Sequence, residues 1–497
     1  MNEKEILLHL QNGSDVRGVA LPTEGGPPVT LTEEVVNQIA AAFGLWLVQH
    51  SARPATQLRV GVGYDPRLSG QQLKKAIIQG LSALGVSVFD CGLASTPAMF
   101  MGTKFQQTDF DGAIMITASH LPQNRNGMKF FTREGGLNKQ DIRAMLTQAA
   151  YIAPGRGAAQ VGSANVMELY AAFLRGKIVE AVRQGETPLQ GMHIVVDAGN
   201  GSGGFFATDV LEPLGADISG SQFLDPDGTF PNHQPNPENK EAMSFICKAV
   251  VDSKADFGII FDTDVDRMAS VISNGSRINR DTNIAMMAAI LAPEYPGSTI
   301  VTDSTTSDRL TVFLQDKLGL KHHRFKRGYK NVINEAIRLN DEGVMTPLAI
   351  ETSGHGAMQE NYFLDDGAYM AVRLSIAAAI LRQEGKKLES LLDGLAPAGV
   401  ECECRIAIAG DDFIKYGQRV VDTLAERAKQ QGIELVDSFE GVRMSFPGKG
   451  WAMLRMSLHD PMLPFNAEGV TEEDSRFILD TIRSLLKDFD RLDLTVM

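Results

Sequence analysis

Three stretches of the chain follow one plan, and that repetition limits the possible folds more tightly than any single motif. Residues 58–63 form an apolar run ending in Asp65-Pro-Arg-Leu-Ser-Gly, followed by an amphipathic stretch to Ala83-Leu84-Gly85 and a second apolar run at 86–89. Residues 193–196 end in Asp197-Ala-Gly-Asn-Gly-Ser-Gly and lead to Leu214-Gly215; residues 298–302 end in Asp303-Ser-Thr-Thr-Ser and lead to Leu318-Gly319. Each block reads as a strand, a turn of small residues and a helix closed by Leu-Gly. At this spacing, strand, helix and strand make the parallel crossover unit. Three copies, roughly a hundred residues apart, predict three similar α/β domains.

From about residue 396 the pattern changes. Alternation predicts a strand over 401–408, then a helix over 411–430, strands over 441–446 and 451–458, and a closing amphipathic helix over 472–489. This is a separate α+β domain. The expected boundaries are 1–160, 161–275, 276–395 and 396–497. Four domains suit a chain of 497 residues, which is too long for a single core. A net charge of −14 argues against nucleic-acid and anionic-membrane partners, so an anionic substrate needs a local cluster of Arg and Lys. The acidic start is not a signal peptide, no run of 18 apolar residues exists to span a membrane, and four cysteines suit a reducing compartment. A cytoplasmic protein is expected. Cys402 and Cys404 alternate with Glu401 and Glu403 and are read as packing, because no second pair or nearby His completes a metal site.

Four stretches carry chemistry. The apolar run 113–116 leads into Thr117-Ala-Ser119-His120-Leu-Pro and then Asn126-Gly127-Met-Lys129, which reads as an exposed loop presenting a hydroxyl that a neighbour could activate. Between the apolar runs 257–261 and 268–272 stands Asp262-Thr-Asp264-Val-Asp266-Arg267. Carboxylates so close repel one another, and a hard divalent cation with oxygen ligands is the natural relief; the sixth-position Gly and distal Glu of an EF-hand are missing. Arg324-Phe-Lys326-Arg-Gly-Tyr-Lys330 is a candidate anion patch, and Glu351-Thr-Ser353-Gly-His355-Gly offers groups suited to sugar hydroxyls. Asp365-Asp366-Gly367 then opens a helix. Arg455-Met-Ser457-Leu-His459-Asp-Pro461, placed between the last strand and the closing helix, carries phosphate-friendly groups. The glycines at 199, 201, 203 and 204 are spaced too loosely for a dinucleotide site. The proline-rich loop 226–237 must pack on something to be ordered.

In this order the motifs resemble the α-D-phosphohexomutase superfamily and, within it, the phosphomannomutase/phosphoglucomutase group, over nearly the whole chain. The resemblance implies an α/β fold of four domains around a central cleft, three alike and a distinct C-terminal α+β domain. It implies exchange of phosphate between the 1- and 6-positions of a hexose, mannose or glucose, through a phosphoserine and a hexose 1,6-bisphosphate that also serves as activator. Ser119 would carry the phosphoryl group, with one Mg²⁺ bound by Ser119, Asp262, Asp264 and Asp266 beside Arg267. His120 or Lys129 would handle the proton, and Arg17 would belong to the catalytic set as an anion contact. Arg324, Lys326, Lys330, Glu351, Ser353, His355, Arg455, Ser457 and His459 would bind substrate. Arg67 and the 225–237 segment sit in family-like surroundings. The partner implied is a phosphorylated hexose, and the protein a monomer or small homo-oligomer. The final loop departs from the family's usual Arg-Pro-Ser-Gly-Thr-Glu-Pro: Leu458 and His459 replace Gly and Thr. That departure keeps a poorly active phosphosugar-binding paralogue as one alternative, and the loop at 351–355, which favours neutral hexoses only mildly, keeps an amino-sugar mutase as the other.

Overall fold

The computed structural model describes residues 3–157, 161–436, 438–457 and 460–497. The chain divides into two compact units, residues 1–279 with 353–390, and 280–352 with 391–497. Among the described residues no helix is long and apolar enough to cross a membrane.

The first unit opens with an eight-stranded mixed sheet. Its centre is parallel: Arg59–Tyr64 lies between Ser87–Leu93 and Gly112–Ile116. Beyond Gly112–Ile116 the sheet turns antiparallel through Arg125–Thr132 and Asp15–Val19. Arg59–Tyr64, Gly112–Ile116 and Arg125–Thr132 are buried on both faces. Helices Glu33–Ser51, Gly70–Ser82 and Lys139–Ala149 cover one face, and Phe43, Ile77, Val60, Ile114 and Met145 meet in one core. The expected Asn126-Gly127 turn is instead part of the Arg125–Thr132 strand. The glycine is there for close approach: a Cβ would stand 2.2 Å from the Val16 carbonyl oxygen and 2.8 Å from that of Thr117.

The second sheet of this unit runs Arg277–Ile278, Met268–Ile272, Phe257–Phe261, Ile194–Asp197. The middle pair is antiparallel and the last pair parallel. The helix expected up to Leu214 is a wide π turn over Phe206–Leu211 running into a 3-10 turn over Glu212–Leu214. Pro213 explains this: it lacks the N–H that an α-helix would direct to the Asp209 carbonyl. Arg175 supplies the missing donor to that oxygen. Where a further strand would complete the repeat, only single bridges remain, His193 with Asp217 and Asp197 with Gln222. The Leu-Gly stops hold in all three blocks, with φ of 85° at Gly85, 90° at Gly215 and 65° at Gly319, a left-handed turn that glycine adopts without a Cβ clash. By their contacts residues 353–390 cluster with the first unit, where their helix Gly367–Gln383 packs on Val166–Val182.

In the second unit Thr299–Asp303 pairs in parallel with Lys321–Phe325 and Leu348–Ile350. The C-terminal sheet is antiparallel, in the order Val400–Ala407, Met462–Gly469, Gly450–Leu454, Val442–Phe446, Glu434–Val436. Helices Phe413–Gln430 and Glu472–Leu486 cover it through Val420, Leu424, Ile478 and Ile482. Met462–Gly469 was not expected. The 455–461 loop therefore joins two neighbouring strands rather than a strand and a helix. Pro464 and Asn466 interrupt the apolar run over 462–469, which hides its strand character.

Candidate active site

The Ser119 loop is exposed only at its tip, Pro122 and Gln123, while its serine end is buried. Ser119 is 5% exposed and its φ is 51°, a left-handed conformation that side chains rarely adopt. The surroundings enforce it. Asp65, at the end of Arg59–Tyr64, accepts from Thr117 Oγ1 at 2.7 Å, and Thr117 Oγ1 accepts from Ser119 N at 2.8 Å. Arg67, fully buried, donates to the carbonyls of Leu121 at 2.6 Å, Pro122 at 2.8 Å and Arg125 at 3.0 Å, and to that of Ser119. One guanidinium thus gathers four backbone carbonyls around the serine. The proline-rich segment closes over the loop: Phe230 covers Arg67 at 5.4 Å, Gln234 donates to the His120 carbonyl, and His233 contacts Asp197 at 3.0 Å.

Ser119 Oγ donates to Asp262 Oδ2 at 2.9 Å, accepts from Arg267 Nη2 at 3.3 Å and lies 3.3 Å from His120 Nδ1. Asp262, Asp264 and Asp266 are buried, and each offers an oxygen within 4.8 Å of the others. The turn that gathers them needs φ of 69° at Val265, a costly conformation for a β-branched residue. It is held from behind by the start of the Gly367–Gln383 helix, where Gly367 N donates to Val265 O at 3.0 Å. A Cβ at Gly367 would stand 2.7 Å from the Arg267 backbone, so this helix start must be glycine. Thr96 N also donates to Asp264 O at 2.8 Å, and Thr96 Oγ1 to its carboxylate, which ties the metal-loop candidate to the domain bearing Ser119.

Charge in this pocket is out of balance. Burial, then the charge of Asp266, pushes the Asp262 carboxyl well above its ordinary range. Burial would raise Asp266 too, but Lys129 and Arg267 overcome it and hold it low. Lys129 Nζ is bonded to Asp266 and lies 3.5 Å from Asp264. Asp264 Oδ1 and Asp266 Oδ1 are buried without a hydrogen-bond partner among the described residues. Three convergent carboxylates, two of them with an unpaired buried oxygen, fit a hard divalent cation of the size and charge of Mg²⁺. His120 is pushed down to about 3, first by burial and then by the charges of Arg267 and Arg17, so its ring is neutral at pH 7. Arg17 itself pairs with Asp15 at 2.8 Å. Ser353 Oγ is 2.9 Å from His355 Nδ1, and His355 Nε2 is 3.7 Å from Asp266 Oδ1. The first unit thus gathers Arg17, Ser119, His120, Lys129, the three Asp, Arg267, Ser353 and His355.

The second unit gathers a different set. Glu351 is buried and accepts from Gly328 N at 2.6 Å. Lys326 is exposed and Lys330 half-buried in the first turn of Tyr329–Asp341. Burial, set against the attraction of Glu440, lowers the Arg455 guanidinium. Ser457 Oγ accepts from Asp460 N at 3.2 Å. His459, with Leu458, lies outside the described residues. Arg324 needs correction as a substrate group. It turns inward and donates to Thr306 Oγ1 at 3.0 Å, Ser307 O at 2.9 Å, Asp308 Oδ1 at 3.1 Å and Thr311 Oγ1 at 2.6 Å. A strand alternates its faces, so Arg324 points into the helix side of its sheet. Arg327, three residues on, gives its backbone amide to Glu440 and acts by its charge on Arg455 instead, and nothing in a run of four cations distinguishes the two from sequence.

A buried serine bound to an aspartate triplet, on repeated α/β blocks, is the constellation of the α-D-phosphohexomutases. Residues 9–151, 169–275 and 279–398 match the families described as phosphoglucomutase/phosphomannomutase, alpha/beta/alpha domains I, II and III. A phosphomannomutase/phosphoglucomutase of Pseudomonas syringae pv. tomato is 30% identical over 477 residues, 95% of this chain and 94% of that one. A phosphoglucomutase/phosphomannomutase of Thermococcus kodakarensis is also 30% identical, over 92% of this chain and 95% of that one. A crystal structure of a family protein from Burkholderia thailandensis superposes with a TM-score of 0.80 at 28% identity, covering 98% of both chains. The chain belongs to the phosphoglucomutase/phosphomannomutase family of phosphohexomutases.

Proposed function

We propose that the protein interconverts hexose 1-phosphate and hexose 6-phosphate, of mannose or glucose, with Ser119 as the phosphoryl carrier. The single observation that carries this reading is the Ser119 hydroxyl, held in a left-handed loop against Asp262 and Arg267. In the reaction, phospho-Ser119 gives its phosphoryl group to the sugar monophosphate. A hexose 1,6-bisphosphate results, and its other phosphate returns to Ser119. Mg²⁺ held by Asp262, Asp264 and Asp266 would supply charge neutralisation at the transferring phosphoryl group. Arg267 adds a fixed positive charge at the Ser119 oxygen and, through Nε, holds Asp262 in place at 3.1 Å. His120 is the proton handler: its neutral ring faces Oγ, whereas Lys129 is committed to Asp266. Asp65, Thr117 and Arg67 fix the attacking oxygen, which is where a transfer that relies on positioning gains most. Glu351, Ser353 and His355 are assigned to sugar hydroxyls, and Lys326, Arg327, Lys330, Arg455 and Ser457 to the phosphate that is not being transferred. A phosphorylated amino sugar is the alternative substrate. Turnover of mannose 1-phosphate, glucose 1-phosphate and glucosamine 1-phosphate, with Mg²⁺ and a trace of bisphosphate, tests the reading. Conversion of a neutral hexose above the amino sugar supports it, and conversion of none refutes it.

A further inference from the structure

Glu440 occupies a position that the reaction, as described, does not use. It stands at the tip of the connection between Glu434–Val436 and Val442–Phe446. Its Oε1 accepts from Arg327 N at 2.8 Å and from Ser304 Oγ. The neighbouring Phe439 packs on Phe325 at 4.7 Å and His323 at 5.4 Å, which anchors this tip against the Lys321–Phe325 strand. The next amide along, Gly328 N, goes to Glu351 at 2.6 Å, and Gly328 takes φ of 116°. Two successive amides are thus aimed at carboxylates, an arrangement that suits an anion. Arg455 is attracted to Glu440 and repelled by Arg327, and its Nε is buried without a hydrogen-bond partner among the described residues. Arg327 thus meets Glu440 through its backbone amide and Arg455 through its charge, beside donors that an oxyanion could use.

We propose that Glu440 is an internal counter-anion that competes with a phosphate group for this seat and sets how tightly the seat holds it. The inference rests on the reading that Arg327 and Arg455 receive the phosphate that is not being transferred. A phosphate dianion would draw on the same charges and on the same amide and hydroxyl donors. With Glu440 present it must displace or repel a carboxylate, so its affinity is lowered. A mutase benefits, because its bisphosphate must leave the seat and return with the opposite phosphate. A seat of maximal affinity would slow that exchange.

Glu440→Gln keeps an oxygen to accept from Arg327 N and Ser304 while removing the charge. Titrating the full chain with inorganic phosphate at fixed ionic strength reads the seat without requiring turnover. The expected result is about five- to tenfold tighter binding by the variant. Adding Arg455→Met should abolish the gain, and in the mutase assay Glu440→Gln should lower KM and kcat together. Unchanged or weaker phosphate binding by Glu440→Gln would overturn the proposal, as would a gain that survives Arg455→Met. A protein that binds phosphate more tightly but turns over no hexose phosphate would refute the mutase reading and leave the role of Glu440 standing.

Discussion

At the scale of single residues, the Ser119 neighbourhood separates chemistry from support. Ser119→Ala removes one hydroxyl and its bond to Asp262, and it should cost about 1 kcal/mol of stability or less. Turnover should fall by a factor on the order of 10³ or more, because the hydroxyl proposed to take the phosphoryl group is gone. Paired assays of thermal midpoint and turnover check this; retained activity would remove Ser119 from the mechanism. Asp262→Asn with Asp266→Asn should abolish activity and with it the response to added Mg²⁺, read as turnover across a Mg²⁺ titration.

A residue in the second unit gives a pH prediction away from this chemistry. Asp281 opens the Asp281–Leu291 helix, is buried, and accepts from Ser307 N at 3.2 Å. Burial, only partly offset by Arg309, raises its carboxyl to about 7. The folded state therefore holds this proton more tightly than the unfolded chain does. Its contribution to stability is greatest below about pH 4 and declines as pH rises toward 7. At about 1.4 kcal/mol per pKa unit the whole decline is on the order of a few kcal/mol. Asp281→Asn should gain stability relative to the parent as pH rises from about 5 to 8, measured as the difference in denaturation midpoint. A constant difference across that range would contradict the assignment.

At the scale of elements, the sequence was clearest where strands are short, apolar and bounded by turn residues. Phe257–Phe261 and Met268–Ile272 fall where the apolar runs place them, because the acidic turn between them marks both ends. It was least clear where a side chain or backbone from far along the chain decides the outcome. Asn126-Gly127 has the composition of a turn, yet it lies in a strand because Asp15–Val19 approaches too closely for a Cβ. The 199–204 glycines look like a nucleotide loop, but Gly201 and Ser202 lie against the Thr263 backbone, with Ser202 N donating to Thr263 O at 2.8 Å. Arg324 and Arg327 share one charged run and differ only in which face of the chain each occupies. Gly127→Ala should therefore behave as an overpacking change in the sheet that carries Ser119, costing about 1–3 kcal/mol or more and lowering activity with stability. Chemical denaturation compared with Gly136→Ala, where a Cβ meets nothing closer than 3.6 Å, checks it.

At the scale of the whole molecule, the repeated blocks supply similar frames, and each frame spends its first turn differently. After Arg59–Tyr64 the turn residues Asp65 and Arg67 brace the serine loop; after Ile194–Asp197 the glycines brace the aspartate turn; after Thr299–Asp303 the turn offers Ser304 to Glu440. The domain count and the order of the motifs were legible because repeats and short motifs are local in sequence. The division into two units, with residues 353–390 joining the first, was not, since it depends on the packing of Gly367–Gln383 against Val166–Val182.

The central claim is that Ser119 is the phosphoryl carrier. The most direct measurement uses the full chain loaded with labelled phosphate from hexose 1,6-bisphosphate and Mg²⁺, then mixed with unlabelled hexose 1-phosphate in a single turnover. Peptide mass mapping before mixing should find the label on the peptide containing Ser119. After mixing, the label should leave the protein and appear on the sugar at a rate no slower than kcat. Label on another residue, or label on Ser119 that stays while the hexose phosphate is converted, would contradict the account.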